Sequence, residues 1–96
     1  MFGIAKTICD AIEGRNIIEF TYKGARRRVE PYLLGDDQKG HLTLSAFQLS
    51  GGSAADWRDF HVDTLGGRSV TALRFDGKRP GYNRNDPSMR SIRCRV

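Results

Sequence analysis

Cysteine is scarce in this 96-residue chain: Cys9 and Cys94 are the only two, and they lie at opposite ends. Two such residues do not make the disulfide framework of a small secreted domain, so a reducing, cytoplasmic setting is expected. A Cys9–Cys94 bond would have to close a very long loop. The alternative for Cys9 is a small packing residue beside an apolar stripe. Long apolar runs are missing too. No window can span a bilayer, and the first ten residues, with Lys6 and Asp10 among them, lack the unbroken apolar core of a signal peptide. Gly3 is not where N-myristoylation needs a glycine. His41 and His61 are the only histidines, with no metal-ligand spacing to either cysteine. His61 beside Asp59 or Asp63 is not accompanied by a nucleophile in a recognised context. No catalytic residue, metal ligand or cofactor is therefore expected, and a small nuclease or nucleotide hydrolase is disfavoured.

What is present is positive charge. The net formal charge is +5, with 10 Lys+Arg against 9 Asp+Glu up to Phe75 and 6 against 2 from Asp76 onward. That balance favours anionic partners without choosing among them. The length suits one domain with a modest core. We expect a folded body over residues 1–75 and a basic tail over 76–96.

Ile4, Ile8, Ala11 and Ile12 recur at helical spacing, which predicts a helix over 3–13 stopped by Gly14 in the left-handed conformation. Ile18, Phe20 and Tyr22 then alternate as a strand, a turn follows at Lys23-Gly24-Ala25, and a second strand runs from Arg26 to Leu34. Pro31, unable to donate to a ladder, marks an edge, a bulge or a bend there. Alternation predicts further strands over 41–47, 57–62 and 69–75. A flexible loop at Gln48–Asp56 and a short connection at 63–67 separate them. Ser91–Val96 alternates again, as either a terminal strand or a disordered end. One helix followed by five short strands predicts a mainly β fold, a small barrel or sandwich.

The densest charge of the body is on the hairpin. Arg26 and Arg28 share one face of their strand and Arg27 takes the other. Guanidinium forks suit phosphate. Arg58 on a later strand is expected to join Arg26 and Arg28, with Lys23, His61 and Arg68 nearby by topology. The competing reading is a solvated edge. In the tail, Lys78, Arg79, Arg84, Arg90, Arg93 and Arg95 interleave with Tyr82, a pattern usable against single-stranded nucleic acid, or an ordinary loop. Trp57 and Tyr32 offer either stacking surfaces or core. Gly66-Gly67-Arg68-Ser69 forms either a small anion nest or a plain turn.

Taken in order, A-I-E-G-R, I-I-E-F-T-Y, R-R-V-E-P-Y-L-L, G-H-L-T-L-S-A-F and R-D-F-H-V-D-T-L resemble the WYL domain, from about Ile8 to Val70. The resemblance implies a small SH3/Sm-like five-stranded barrel capped by an N-terminal α-helix. It implies a regulatory module that senses nucleic acid or a nucleotide-type ligand, in bacterial stress or phage-defence systems. The tripeptide that names the family falls on Leu42-Thr43-Leu44, and its Asp-Arg-Ile stretch on Asp63-Thr64-Leu65. Of the family's ligand-facing positions Arg58 matches, while Thr43 and Thr64 do not. The sequence leaves no room for a helix-turn-helix, so a stand-alone copy is implied. Nucleic acid or a nucleotide-type ligand is the expected partner. A protein partner or a homodimer, reached by strand addition at the sheet edge or at Ile92-Cys94-Val96, is the alternative.

Overall fold

Strand β1 (Asn16–Tyr22) and strand β2 (Ala25–Asp37) pair antiparallel, with Ile18 opposite Val29 and Tyr22 opposite Ala25. Lys23 and Gly24 make the turn, both with positive φ (49° and 76°). That backbone matches the right-handed twist of the strands it joins. The computed structural model describes residues 3–52 and 54–96. Helix α1 (Ile4–Gly14) precedes the hairpin, and β3 (Leu42–Ser50), β4 (Asp56–His61), a 3-10 turn at Val62–Thr64, β5 (Gly66–Arg74) and β6 (Met89–Arg95) follow it.

All six strands belong to one antiparallel sheet, ordered β4-β3-β2-β1-β5, with β6 also paired to β2. The fold is mainly β, as expected, but among the described residues β4 and β5 are edges not paired with one another, so the sheet is not closed into a barrel. The 3-10 turn carries the chain between these edges without joining them.

Pro31 explains the layout. β1 covers β2 from Ala25 to Val29, and β6 covers it from Leu33 to Asp37. Pro31 lies in the gap between them, opposite Ala46 of β3, with a register shift directly after it. A residue with no N–H is tolerated at such a bulge inside a central strand.

The helix differs from expectation at its end. Gly14 is the last helical residue, and Arg15 takes the left-handed conformation (φ 56°). Arg15 offsets this by donating from its backbone N–H and from Nη1 to Ile12 O, at 3.2 and 2.8 Å. A Cβ on Gly14 would meet the Asn16 side chain, with Oδ1 at 2.5 Å, so a larger residue there would have to displace the Asn16 amide.

Both faces of the sheet carry an apolar cluster, while β5 is exposed along most of its length. Ile8, Ala11 and Ile12 of α1 pack on Ile18, Phe20, Val29, Leu34, Leu44 and Phe60. On the other face Tyr32 and Phe75 pack with Phe47, Trp57 and Tyr82. Tyr82 stacks on Trp57, and Trp57 Nε1 donates to Pro80 O at 2.9 Å. Residues 76–96 therefore complete the outer core and supply a strand. Burial of apolar area on both faces is the main stabilising term for so small a sheet.

The cysteines overturn an expectation. Cys9 of α1 and Cys94 of β6 form a disulfide, with Cα atoms 5.7 Å apart. β6 lies beside β2, under the helix, so chain ends remote in sequence become neighbours. The ground for expecting a reducing setting is thereby removed. No helix among the described residues is long and apolar enough to cross a membrane.

Candidate functional site

The register across β2, β3 and β4 decides which arginines meet. Phe20 pairs with Arg27, and Ala46 with Arg58. Phe20, Ala46 and Phe60, two residues after Arg58, all belong to the helix-side core. Side chains alternate along a strand, so Arg27 and Arg58 share the helix-side face while Arg26 and Arg28 take the opposite one. The expected convergence of Arg26, Arg28 and Arg58 does not form.

Arg28 is held by a carboxylate: its Nη2 lies 2.8 Å from Glu19 Oε2. Arg26 Nη1 donates to Gly67 O, and Arg68 Nη1 donates to Leu65 O at 3.1 Å. Gly66-Gly67-Arg68-Ser69 is the start of β5. Much of the tail's charge is also engaged. Arg93 pairs with Asp36 at 3.0 Å, and Arg95 Nη1 donates to Arg84 O. Arg79 grips Glu30 and lies over the Phe47 ring. Tyr82 and Trp57, offered by the sequence as stacking surfaces, are stacked on one another.

The helix-side face holds a different basic corner. Arg27 Nη1 donates to Gln48 Oε1 at 2.8 Å, and Gln48, fully buried, donates in turn to Ala54 O. The Arg27 guanidinium lies 5.1 Å from the Tyr22 ring centroid, and Lys23 Nζ lies 5.4 Å from the same ring. Tyr22 packs edge-on against Phe60, which fixes the platform. Arg58 has no hydrogen-bond or ion partner among the described residues, and its Nε, like that of Arg27, is buried without a partner. Buried donors of this kind cost free energy unless something accepts from them. No carboxylate is paired with Lys23, Arg27 or Arg58 among the described residues. Gln48–Asp56, expected as a loop, is strand up to Ser50, and its Ser53 lies outside the described residues. Gly51 and Gly52 turn tightly over Arg26 and Arg27, where a Cβ on Gly51 would meet Arg26 O.

His61 belongs to a second place. Thr43 of β3 pairs with His61 of β4 and with Gly35 of β2. This register brings His61 Nε2 to 3.4 Å from Asp37 Oδ2, and His41 Nδ1 to 3.5 Å from the same oxygen. The imidazole centroids are 4.5 Å apart. Asp37 Oδ1 accepts from the N–H groups of His41 and Lys39, both at 2.9 Å. The His41 N–H above all, then the Lys39 N–H, holds this carboxyl below its usual pKa. The sequence points to Lys23, Arg58 and His61 but not to the groups beside them, Arg27 with Gln48 and Asp37 with His41. Nothing in the local pattern of Arg27 or His41 sets it apart. Only cross-strand register does.

Comparison with family models, with curated proteins and with solved structures returns no match.

Proposed function

We propose that this chain is a non-enzymatic regulatory module that binds a phosphate-bearing anion, nucleic acid or a nucleotide-type ligand, through Lys23, Arg27 and Arg58. The observation that carries this reading is the state of Arg58, a guanidinium with a buried Nε and no partner among the described residues, on the same face as Arg27 and Gln48. Forked donors on one face of the sheet, with no carboxylate paired to them among the described residues, suit a phosphate. Tyr22 offers a ring edge beside them for a base.

The WYL resemblance supports the same class of ligand, and Arg58 is the family position that matches. The SH3/Sm-like form of the fold belongs to this proposal as well. It is supported by the long, bent β2 shared between two sets of neighbours and by β5 lying beside β1. The contacts move from Arg26 and Arg28, the pair singled out in the sequence, to Arg27.

The test is a binding series with nucleotides and short single strands at several salt concentrations, on the full chain. Arg27→Ala and Arg58→Ala should each weaken binding and flatten its salt dependence. Arg26→Ala and Arg28→Ala should change it little. Equal losses in all four variants, or binding indifferent to salt, would defeat the proposal.

A second reading is self-association by strand addition. It rests on β5, an unpaired edge on which Val70 and Leu73 are about half exposed. Light scattering would decide it: a monomer across the accessible concentration range removes it.

A further inference from the structure

Asp37, His41 and His61 come from three places: the end of β2, the residue before β3 and the end of β4. Each offers one ligand atom, and these atoms all lie within 4.8 Å of one another. We propose that these three residues bind one divalent transition-metal ion of the zinc type, with coordination positions left open to the adjoining cleft.

The distances fit. Two ligand atoms at about 2.1 Å from an ion and at a tetrahedral angle lie about 3.4 Å apart. Asp37 Oδ2 is 3.5 Å from His41 Nδ1 and 3.4 Å from His61 Nε2. The two imidazoles are about half exposed, so a small side-chain rotation brings their nitrogens together on one ion.

Support behind the ligands is already in place. Asp37 Oδ1 is occupied by two backbone N–H groups, which leaves Oδ2 as the free oxygen and fixes its direction. The same turn is closed by Asp37 N–H donating to His41 O at 2.9 Å and by Gly40 N–H donating to Asp37 O at 3.0 Å. Thr43 Oγ1 also donates to His41 O, and Thr64 Oγ1 to His61 O. These bonds fix the backbone that carries the two imidazoles, and the carboxylate between them, while the rings keep the freedom to turn onto an ion.

Chemistry narrows the ion. Two imidazole nitrogens and one carboxylate suit zinc, nickel, copper or iron. Magnesium and calcium prefer oxygen alone. Three protein ligands leave room for water or an anion. The cleft alongside has a volume of about 390 Å³ and is walled by Thr43, Asp59, Ser88 and Met89. The site lies apart from the Arg27 corner and does not depend on the proposed function.

The experiment is calorimetric titration of the tag-free full chain with zinc, with magnesium as control and cobalt as a spectroscopic probe. One equivalent of zinc should bind, magnesium should not, and cobalt should develop visible bands of nitrogen and oxygen ligation. His41→Ala and His61→Ala should each weaken zinc by roughly tenfold or more. Both histidines are exposed, so circular dichroism should show the fold retained. Asp37→Asn keeps an oxygen for the two N–H groups of the turn and should lose affinity too. Absence of saturable zinc binding by the full chain would overturn the proposal. So would zinc affinity unchanged in both histidine variants.

Discussion

Arg79 holds Glu30 with two parallel hydrogen bonds, Nη2 to Oε2 at 2.9 Å and Nε to Oε1 at 3.2 Å. Glu30 is buried in β2, on the face covered by residues 76–86, and its side chain is only 9% exposed. The pair therefore fastens the tail to the sheet. Arg79→Ala leaves a buried carboxylate without its partner and should cost about 1.5–3 kcal/mol. Adding Glu30→Gln should recover part of that loss, because the orphaned charge is gone. Urea unfolding of the single and double variants measures both effects. Additive losses would mean that the pair is not coupled.

The disulfide ties α1 to β6 across 85 residues of sequence. In the chain-entropy model a loop of that length adds about 4–5 kcal/mol. Reduction, or Cys9→Ser with Cys94→Ser, should lower Tm by roughly 15 °C or more. Unreduced protein, unfolded in denaturant, should yield no free thiol. Two titratable thiols in that assay would show that the bond does not form.

At Gly35 β6 lies tight against β2. A Cβ there would meet Ser91 O at 2.5 Å and Met89 Sδ at 3.2 Å. The backbone oxygen cannot rotate away, so Gly35→Ala should displace β6 and cost about 1–3 kcal/mol. Amide exchange should quicken at Ser91 and Ile92 and stay slow in β1. Uniform protection in the variant would contradict this.

Two tyrosines should titrate late. Burial raises the pKa of Tyr32, whose hydroxyl oxygen accepts from Arg79 N–H at 2.9 Å. Burial also raises that of Tyr82, which donates to Val96 O at 3.0 Å. Both folded values stand above the ordinary value of about 10, so the fold favours the neutral phenols. That contribution is whole below the unfolded pKa and is lost as pH rises through the folded one. Phenolate absorbance should lag in the folded protein, and urea midpoints should fall at alkaline pH. An unchanged midpoint there would refute the linkage.

Much of the fold was legible in the sequence. Period-two alternation placed Ile18, Phe20 and Tyr22 on one face of β1, and helical spacing placed Ile8 and Ile12 in the core. Lys23-Gly24 announced the hairpin, and Pro31 announced the irregularity in β2. Local preference suffices there, because each pattern is contained within one element.

The candidate sites were not legible in this way. Arg27 meets Gln48, and Arg58 shares their face, through the pairing of β2 with β3 and of β3 with β4, and bulges interrupt the first of these pairings. A one-residue slip would turn a whole strand over, and no single strand carries that information. His61 reaches Asp37, and Cys94 reaches Cys9, for the same reason. The sequence by itself determined the elements and their apolar faces, through forces that act over a few residues. Only the tertiary structure decided which charged and ligating groups became neighbours, because that depends on strand order and register summed across the whole sheet.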